Sequence, residues 1–263
     1  MDDIKYLIEH YGKYDEDARL GTRHGSVEFI TTKHYIEKYI KTGDRIIEIG
    51  AGTGRYSHAL ARMGYTVDAV ELVESNINIF KQNTQPGENV TVTQGNALDL
   101  SAFADEIYDV TLLLGPMYHL YNINDKRQAI GEAIRITKPG GIVCVAYCIS
   151  DHTILCDGFK RNRFNLLEYV ENNMIDAETF ATRSKPMDLF ELVRKEQIDE
   201  IMSVFPVTRL HYLATDGISR MMIDEIAEWD EAKFDLYLKY HIATCERQDM
   251  VGVSAHSLDI FRV

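Results

Sequence analysis

From Arg45 onward, short apolar runs and amphipathic stretches take turns along the chain. Arg45–Ile49 reads as a buried strand, and a helical period follows over Tyr56–Met63. Val67–Val70 predicts a second strand, Ser75–Asn83 a second helix, and Val90–Thr93 a third strand. Val110–Leu114 is a fourth strand, bounded by Gly115-Pro116. Asp125–Thr137 then has a helical period, halted by Lys138-Pro-Gly-Gly141, and Ile142–Tyr147 is a fifth strand. Strands alternating with helices imply right-handed crossovers and a mainly parallel sheet.

After Ser150 this rhythm breaks. Residues 151–188 are polar with short helical patches and read as an insertion. Leu189–Val204 predicts an amphipathic helix, Val207–Leu213 a strand, Ile218–Ala227 and Asp230–Cys245 helices, and Val251–Val263 a closing strand. At the other end, residues 1–43 are mostly helical and polar. They are interrupted by Tyr11-Gly-Lys-Tyr-Asp-Glu-Asp-Ala-Arg19-Leu-Gly-Thr-Arg-His24-Gly, a glycine-punctuated stretch that suggests a loop or mobile cap. The expected organisation is an N-terminal helical cap (1–43), a Rossmann-like core (44–150), an insertion or lid (151–188), and the remainder of the core with its own helical insertion (189–263). The fold class is α/β: a seven-stranded, mostly parallel, doubly wound sheet.

Composition narrows the function. The chain has 263 residues, 45% apolar and 26% charged, which suits an ordinary globular core. A net charge of −13 gives an average field that repels nucleic acid, and no Lys/Arg-rich block overcomes it locally. The four cysteines fall at C-x3-C and C-x7-C spacings or alone, which match no zinc motif. His241 and Cys245, four apart on one helix, lack a third ligand, so no metal is expected. The first residues lack a basic region followed by an apolar stretch, and the apolar runs are too short to span a bilayer. A cytoplasmic location with no membrane partner is expected, and oligomeric state is left open.

The decisive segment is Arg45-Ile-Ile-Glu48-Ile-Gly50-Ala51-Gly52-Thr-Gly54-Arg-Tyr. A buried strand runs into a turn with three glycines and then a helix. Such a turn takes up positive φ and lets a ligand lie against bare backbone, next to the unpaired N–H groups of a helix start. A dinucleotide site wants G-x-G-x-x-G, and here the third position holds Arg55; a phosphate loop wants a Gly-Lys pair, which is missing. Glu48 sets a carboxylate at the strand end, poorly suited to a pyrophosphate and well suited to a ligand bearing an ammonium group.

This segment resembles the first motif of the class I S-adenosylmethionine (SAM)-dependent methyltransferases. Four further elements resemble that family in order. Val67-Asp-Ala-Val-Glu71-Leu72 ends the second strand in a carboxylate that can accept both ribose hydroxyls. Gln94-Gly-Asn96-Ala97-Leu98-Asp-Leu resembles the adenine-recognition element, with Asn96 where the family usually has Asp. Tyr108–Leu114 followed by Gly-Pro-Met-Tyr118-His119 resembles the fourth strand and its loop, and Ala133–Gly141 the entry to the fifth. The resemblance implies SAM as cofactor and S-adenosylhomocysteine as product. Glu48, Gly50, Ala51, Gly52, Gly54, Glu71, Leu72, Asn96, Ala97, Leu98 and Leu114 would hold it, with Arg19 of the cap clamping a carboxylate.

The acceptor should sit above the carboxyl ends of the fourth and fifth strands. Leu114-Gly-Pro-Met stands where nucleic-acid amino methyltransferases of the family carry an Asn/Asp-Pro-Pro-aromatic motif. With the acidic charge, this favours a small-molecule acceptor with an oxygen or nitrogen nucleophile. Tyr118 and His119 are the catalytic candidates, or they line the pocket. Tyr14 and His24 join them as acceptor-binding candidates. Phe159, Phe164, Tyr169 and Phe180 form an apolar lid or pack the insertion onto the core. The competing readings are a nucleic-acid or protein methyltransferase, a nicotinamide-dependent oxidoreductase, and a SAM-binding module without catalysis.

Overall fold

The structure is a computed structural model that describes residues 3–11 and 21–263. Its centre is an eight-stranded sheet in the order β3-β2-β1-β4-β5-β8-β7, with β6 paired to β5 off this path. The strands are β1 (Arg45–Ile49), β2 (Thr66–Glu71), β3 (Val90–Gln94), β4 (Tyr108–Leu113), β5 (Thr137–Ile149), β6 (Leu192–Val193), β7 (Thr208–Ala214) and β8 (His256–Arg262). β1 to β5 run parallel, and β8 pairs antiparallel with both β5 and β7. Every residue of β1 after Arg45 is buried, as expected of a strand covered by helices on both faces. That is why Ile46, Ile47, Val110, Leu112, Val143 and Val145 form near-continuous apolar runs rather than alternating ones.

The doubly wound class is therefore as expected, with one strand more than the seven anticipated. The extra one is β6. It lies inside the segment expected to be a continuous helix from Leu189 to Val204, where the helix instead covers only Lys195–Met202. Glu191 explains the difference. Its N–H donates to the Tyr118 carbonyl at 2.7 Å, and its buried carboxylate pairs with Lys126, so the backbone here is held extended against the loop after β4. The span Ile218–Ala227 is likewise split, into a 3₁₀ turn at Ser219–Met221 and a helix at Ile223–Glu228. The closing strand begins at His256, later than expected, after a short helix at Gln248–Val251.

The strand order reverses between β1 and β4, and in open α/β sheets the crevice at such a point receives the ligand. The two loops that leave these strands are packed back to back. A Cβ at Gly50 would lie 2.5 Å from Cδ of Pro116, and one at Gly115 would lie 3.1 Å from the Gly50 carbonyl oxygen. Above this end of the sheet stand the N-terminal helices Asp3–Tyr11 and Arg23–Glu37 and the segment that follows β5. Thr22 caps the second helix by accepting from the Gly25 N–H at 3.1 Å. β5 continues through a helical turn, Ser150–Thr153, into a seven-residue π-helical stretch, Ile154–Lys160. Such widened turns are rare and concentrate where a side chain must be aimed at a site. No described helix is long and apolar enough to cross a membrane.

Candidate cofactor and acceptor site

One cavity of about 890 Å³ runs from the carboxyl ends of β1, β2 and β4 to the segment after β5 and the start of β8. Its first half is the glycine turn. Gly50, Gly52 and Gly54 have φ of 75°, 55° and 91°, so all three require the left-handed region. Their environments differ. A Cβ at Gly54 would strike Phe80 and His58, and one at Gly50 would strike Pro116, whereas one at Gly52 meets nothing within 4 Å. Gly50 and Gly54 thus allow close packing of the turn itself, and Gly52 leaves a bare peptide facing the cavity.

Two buried carboxylates brace this turn. Glu71 Oε2 accepts from the Gly52 N–H at 2.7 Å, and its Oε1 accepts from the Val73 N–H at 2.8 Å. Glu48 accepts from the Ser57 N–H at 2.9 Å and from the Ser57 hydroxyl, in the first turn of the helix Arg55–Arg62. Burial pushes Glu48 up to about pH 7 as a pKa; the Ser57 hydrogen bonds oppose the shift, and the Glu71 charge adds to it. A cation arriving beside Glu48 would restore its ionised form. On the far side, Asn96 Oδ1 accepts from the Leu98 N–H at 3.0 Å, fixing the turn that carries Ala97. Leu72, Asn96, Ala97, Leu98 and Leu114 all line the cavity. A bare peptide, two buried carboxylates at strand ends and an apolar slot with a side-chain amide together fit a ligand with an ammonium group, a sugar diol and a purine.

A family model for a methyltransferase domain matches residues 47–145, the stretch that builds this half of the cavity. Residues 47–145 thus match a methyltransferase domain, and the chain as a whole has the fold of SAM-dependent methyltransferases. It is 33% identical over 104 residues to a demethylmenaquinone methyltransferase of Clavibacter sepedonicus, a match that takes in 39% of this chain and 40% of that protein. An O-methyltransferase of Aspergillus nomiae is 28% identical over 154 residues, covering 56% of this chain and 65% of its own. In fold, the chain resembles a SAM-dependent methyltransferase of Thermotoga maritima at a TM-score of 0.57 and 18% identity, covering 98% of both chains. The chain thus spans less than half the length of the demethylmenaquinone methyltransferases it matches.

The second half of the cavity belongs to this chain's own elaborations. Tyr118 and His119 follow β4 in a 3₁₀ turn, and both line it. The His119 ring is held at both nitrogens: Nδ1 lies 2.8 Å from the Leu189 carbonyl oxygen, and Nε2 lies 3.1 Å from the Tyr11 hydroxyl. Burial lowers its pKa to about 4, against the opposing effect of the Leu189 carbonyl. With both nitrogens engaged, the ring ties the N-terminal helix to the loop after β4. His24, expected to bind the acceptor, does not line the cavity; its ring lies beside the Thr22 hydroxyl at 3.5 Å. Tyr14 and Arg19 lie outside the described residues. Of the four aromatics considered for a lid, Phe164 and Tyr169 lie with ring centroids 4.6 Å apart and line the cavity, while Phe159 and Phe180 are exposed.

Sequence reasoning missed a buried network on the opposite wall. His256 Nδ1 lies 2.9 Å from Asp216 Oδ2 and 3.3 Å from Glu28 Oε2. Asp216 Oδ1 accepts from the Ser254 hydroxyl and, at 3.1 Å, from the His256 N–H. Burial works against charge on His256, but Glu28 and Asp216 outweigh it and raise the pKa to about 10. The imidazolium in turn holds Asp216 well below the usual carboxylate range, despite its burial. The ligand atoms of Glu28, Asp216 and His256 all lie within 4.8 Å of one another, a spacing that could also close on a metal ion and that nothing in the sequence spacing announced. His256 lines the cavity with its ring 5.7 Å from that of Tyr118. His152 lines it too, its Nδ1 lying 2.8 Å from the Val253 carbonyl oxygen. His241 and Cys245, the pair considered for a metal, are drawn to separate partners, the Thr215 carbonyl and the Tyr35 hydroxyl.

Proposed function

We propose that this protein transfers the methyl group of SAM to an oxygen or nitrogen nucleophile of a small molecule. The observation that carries this reading is the continuity of the cavity: the cofactor cradle and a second chamber, walled by Tyr118, His152 and His256, form one space. SAM, when bound, supplies an electrophilic methyl on a sulfonium, which needs only a nucleophile in line behind it and exclusion of water. Gly52 and Glu71 would seat the sugar and the adjoining chain, Asn96 to Leu98 the base, and Glu48 would face the ammonium end. The cap helix Asp3–Tyr11, tied to His119, and the segment after β5 wall off solvent. His256 would act as a fixed positive charge beside Tyr118, and Tyr118 would line the acceptor.

The small-molecule class is supported by the acidic charge, by Leu114-Gly-Pro-Met at the end of β4, and by relatives named for a quinone precursor and for O-methylation. A cytoplasmic location belongs to the same reading, in keeping with four buried, unpaired cysteines. Two measurements test it. Calorimetry with SAM and S-adenosylhomocysteine should show binding of both, and incubation with methyl-labelled SAM and a cell extract should put label into the small-molecule fraction. Label in protein or nucleic acid instead would overturn the acceptor class, and binding of neither compound would overturn the reading altogether.

A further inference from the structure

The second chamber contains a guanidinium that no described residue holds by a hydrogen bond or ion pair. Arg220 sits in the 3₁₀ turn Ser219–Met221, between β7 and the helix Ile223–Glu228, and lines the cavity. Its backbone is held firmly. The Arg161 guanidinium donates to the Arg220 carbonyl at 2.6 Å, the Cys156 thiol lies 3.8 Å from the same oxygen, and Lys160 donates to the Met221 carbonyl. All three donors come from the π-helical stretch or the residue that ends it. The Arg220 guanidinium itself makes no hydrogen bond or ion pair with any described residue.

The neighbouring acids do not fill this role. Asp216 is close enough for the Arg220 charge to help depress its pKa, but both its oxygens are committed to His256 and Ser254. Asp157 pairs with Arg163 at 3.2 Å. The other arginines along the cavity are also engaged: Arg183 pairs with Asp176 at 2.9 Å, and Arg55 lies over the Phe29 ring. A guanidinium offers five N–H donors in a flat fork, which matches a carboxylate two for two. Such a group, half-buried in a cavity and without protein acceptors, is open to a ligand that supplies them.

We propose that Arg220 is an acceptor-binding residue and that the molecule methylated carries a carboxylate, held by the Arg220 fork while its nucleophile points back toward the glycine turn. A single fork, in a cavity also lined by Glu28 and Asp157, matches a monoanion better than a phosphate dianion, whose second charge it would leave facing those carboxylates. The backbone clamp on Arg220 and Met221 gives the fork a fixed place relative to the sheet, which is what in-line transfer requires.

This inference rests on the methyltransferase reading, and its test separates the two. The full chain is first saturated with S-adenosylhomocysteine, whose binding by calorimetry is the check on that reading alone. Matched acid and amide probes are then added: benzoate with benzamide, indole-3-acetate with its amide, and glutarate with glutaramide. At least one acid is expected to raise the melting temperature where its amide does not. Arg220→Gln should weaken that acid at least tenfold while leaving S-adenosylhomocysteine affinity within twofold, and Arg220→Lys should recover part of the loss. The proposal is overturned if no acid outperforms its amide, if Arg220→Gln binds the acid as well as the parent chain, or if phenyl phosphate stabilises more than benzoate. Loss of S-adenosylhomocysteine binding by the parent chain would instead strike at the function proposed above.

Discussion

At the scale of single residues, the three glycines of one turn do different work. Gly52 has open space where a side chain would go, so Gly52→Val should fold with a strain cost of about 1–2 kcal/mol from its left-handed backbone. Its isopropyl group would then occupy the ground proposed for SAM. Calorimetry should show affinity at least roughly tenfold weaker, equivalent to about 1.4 kcal/mol; a folded variant that binds SAM normally would refute the cradle. Glu71→Ala acts differently, because the carboxylate holds the Gly52 and Val73 N–H groups as well as its proposed ligand. Leaving those donors unpaired and removing the sugar's anchor should cost about 1–3 kcal/mol in SAM affinity, with a fall in melting temperature beside it. An unchanged Kd would remove Glu71 from the site.

At the scale of elements, what the sequence revealed and what it hid divide by range. The strand, glycine turn and helix around Gly50–Gly54 were legible because every constraint on them is local: a doubly buried strand, positive φ, and a helix start. β6 was not, since two residues carry no period. The ring partners of His119, Tyr11 and the Leu189 carbonyl, were hidden because they are 108 and 70 residues away. The His256–Asp216 pair was invisible for the same reason: antiparallel pairing of β7 with β8 joins residues 40 apart. Each of these histidines makes a prediction. His119→Ala should unlatch the helix Asp3–Tyr11, seen as faster amide exchange across residues 5–11; unchanged exchange would mean that the tie carries no weight. For His256 the folded pKa lies above its ordinary value of 6.5 and reaches about 10. Its stabilisation is therefore fully present below about pH 6.5 and is lost as pH rises toward 10. Glu28, Asp216, Cys148, His152 and Tyr118 are the charged or titratable groups that face it. Melting temperature should decline across that window, and the decline should flatten in His256→Gln. A parallel decline in both proteins would assign the effect elsewhere.

At the scale of the whole molecule, the sheet is held together at its far edge by charge as well as by apolar packing. Asp259 of β8 is completely buried, and Arg209 of β7 takes both its oxygens at 2.8 Å. Burial pushes the Asp259 pKa up, with Arg209 pulling against it. The pair lies across the β7–β8 ladder that also sets His256 against Asp216, so the structural edge and the proposed acceptor wall share one support. A buried carboxylate stripped of its partner is worse than no carboxylate at all, because its desolvation is no longer offset. Arg209→Ala should therefore destabilise the fold by about 3–5 kcal/mol in urea denaturation. Arg209→Met combined with Asp259→Leu should recover most of that loss, since it removes both charges and keeps the volume. If the double variant is as unstable as the single one, the edge depends on the ion pair itself and not on avoiding an orphaned charge. In either case the loosened ladder should weaken binding of an acceptor at the His256 wall more than binding of SAM at the glycine turn, because the turn leans on β1, β2 and β4 at the opposite side of the sheet.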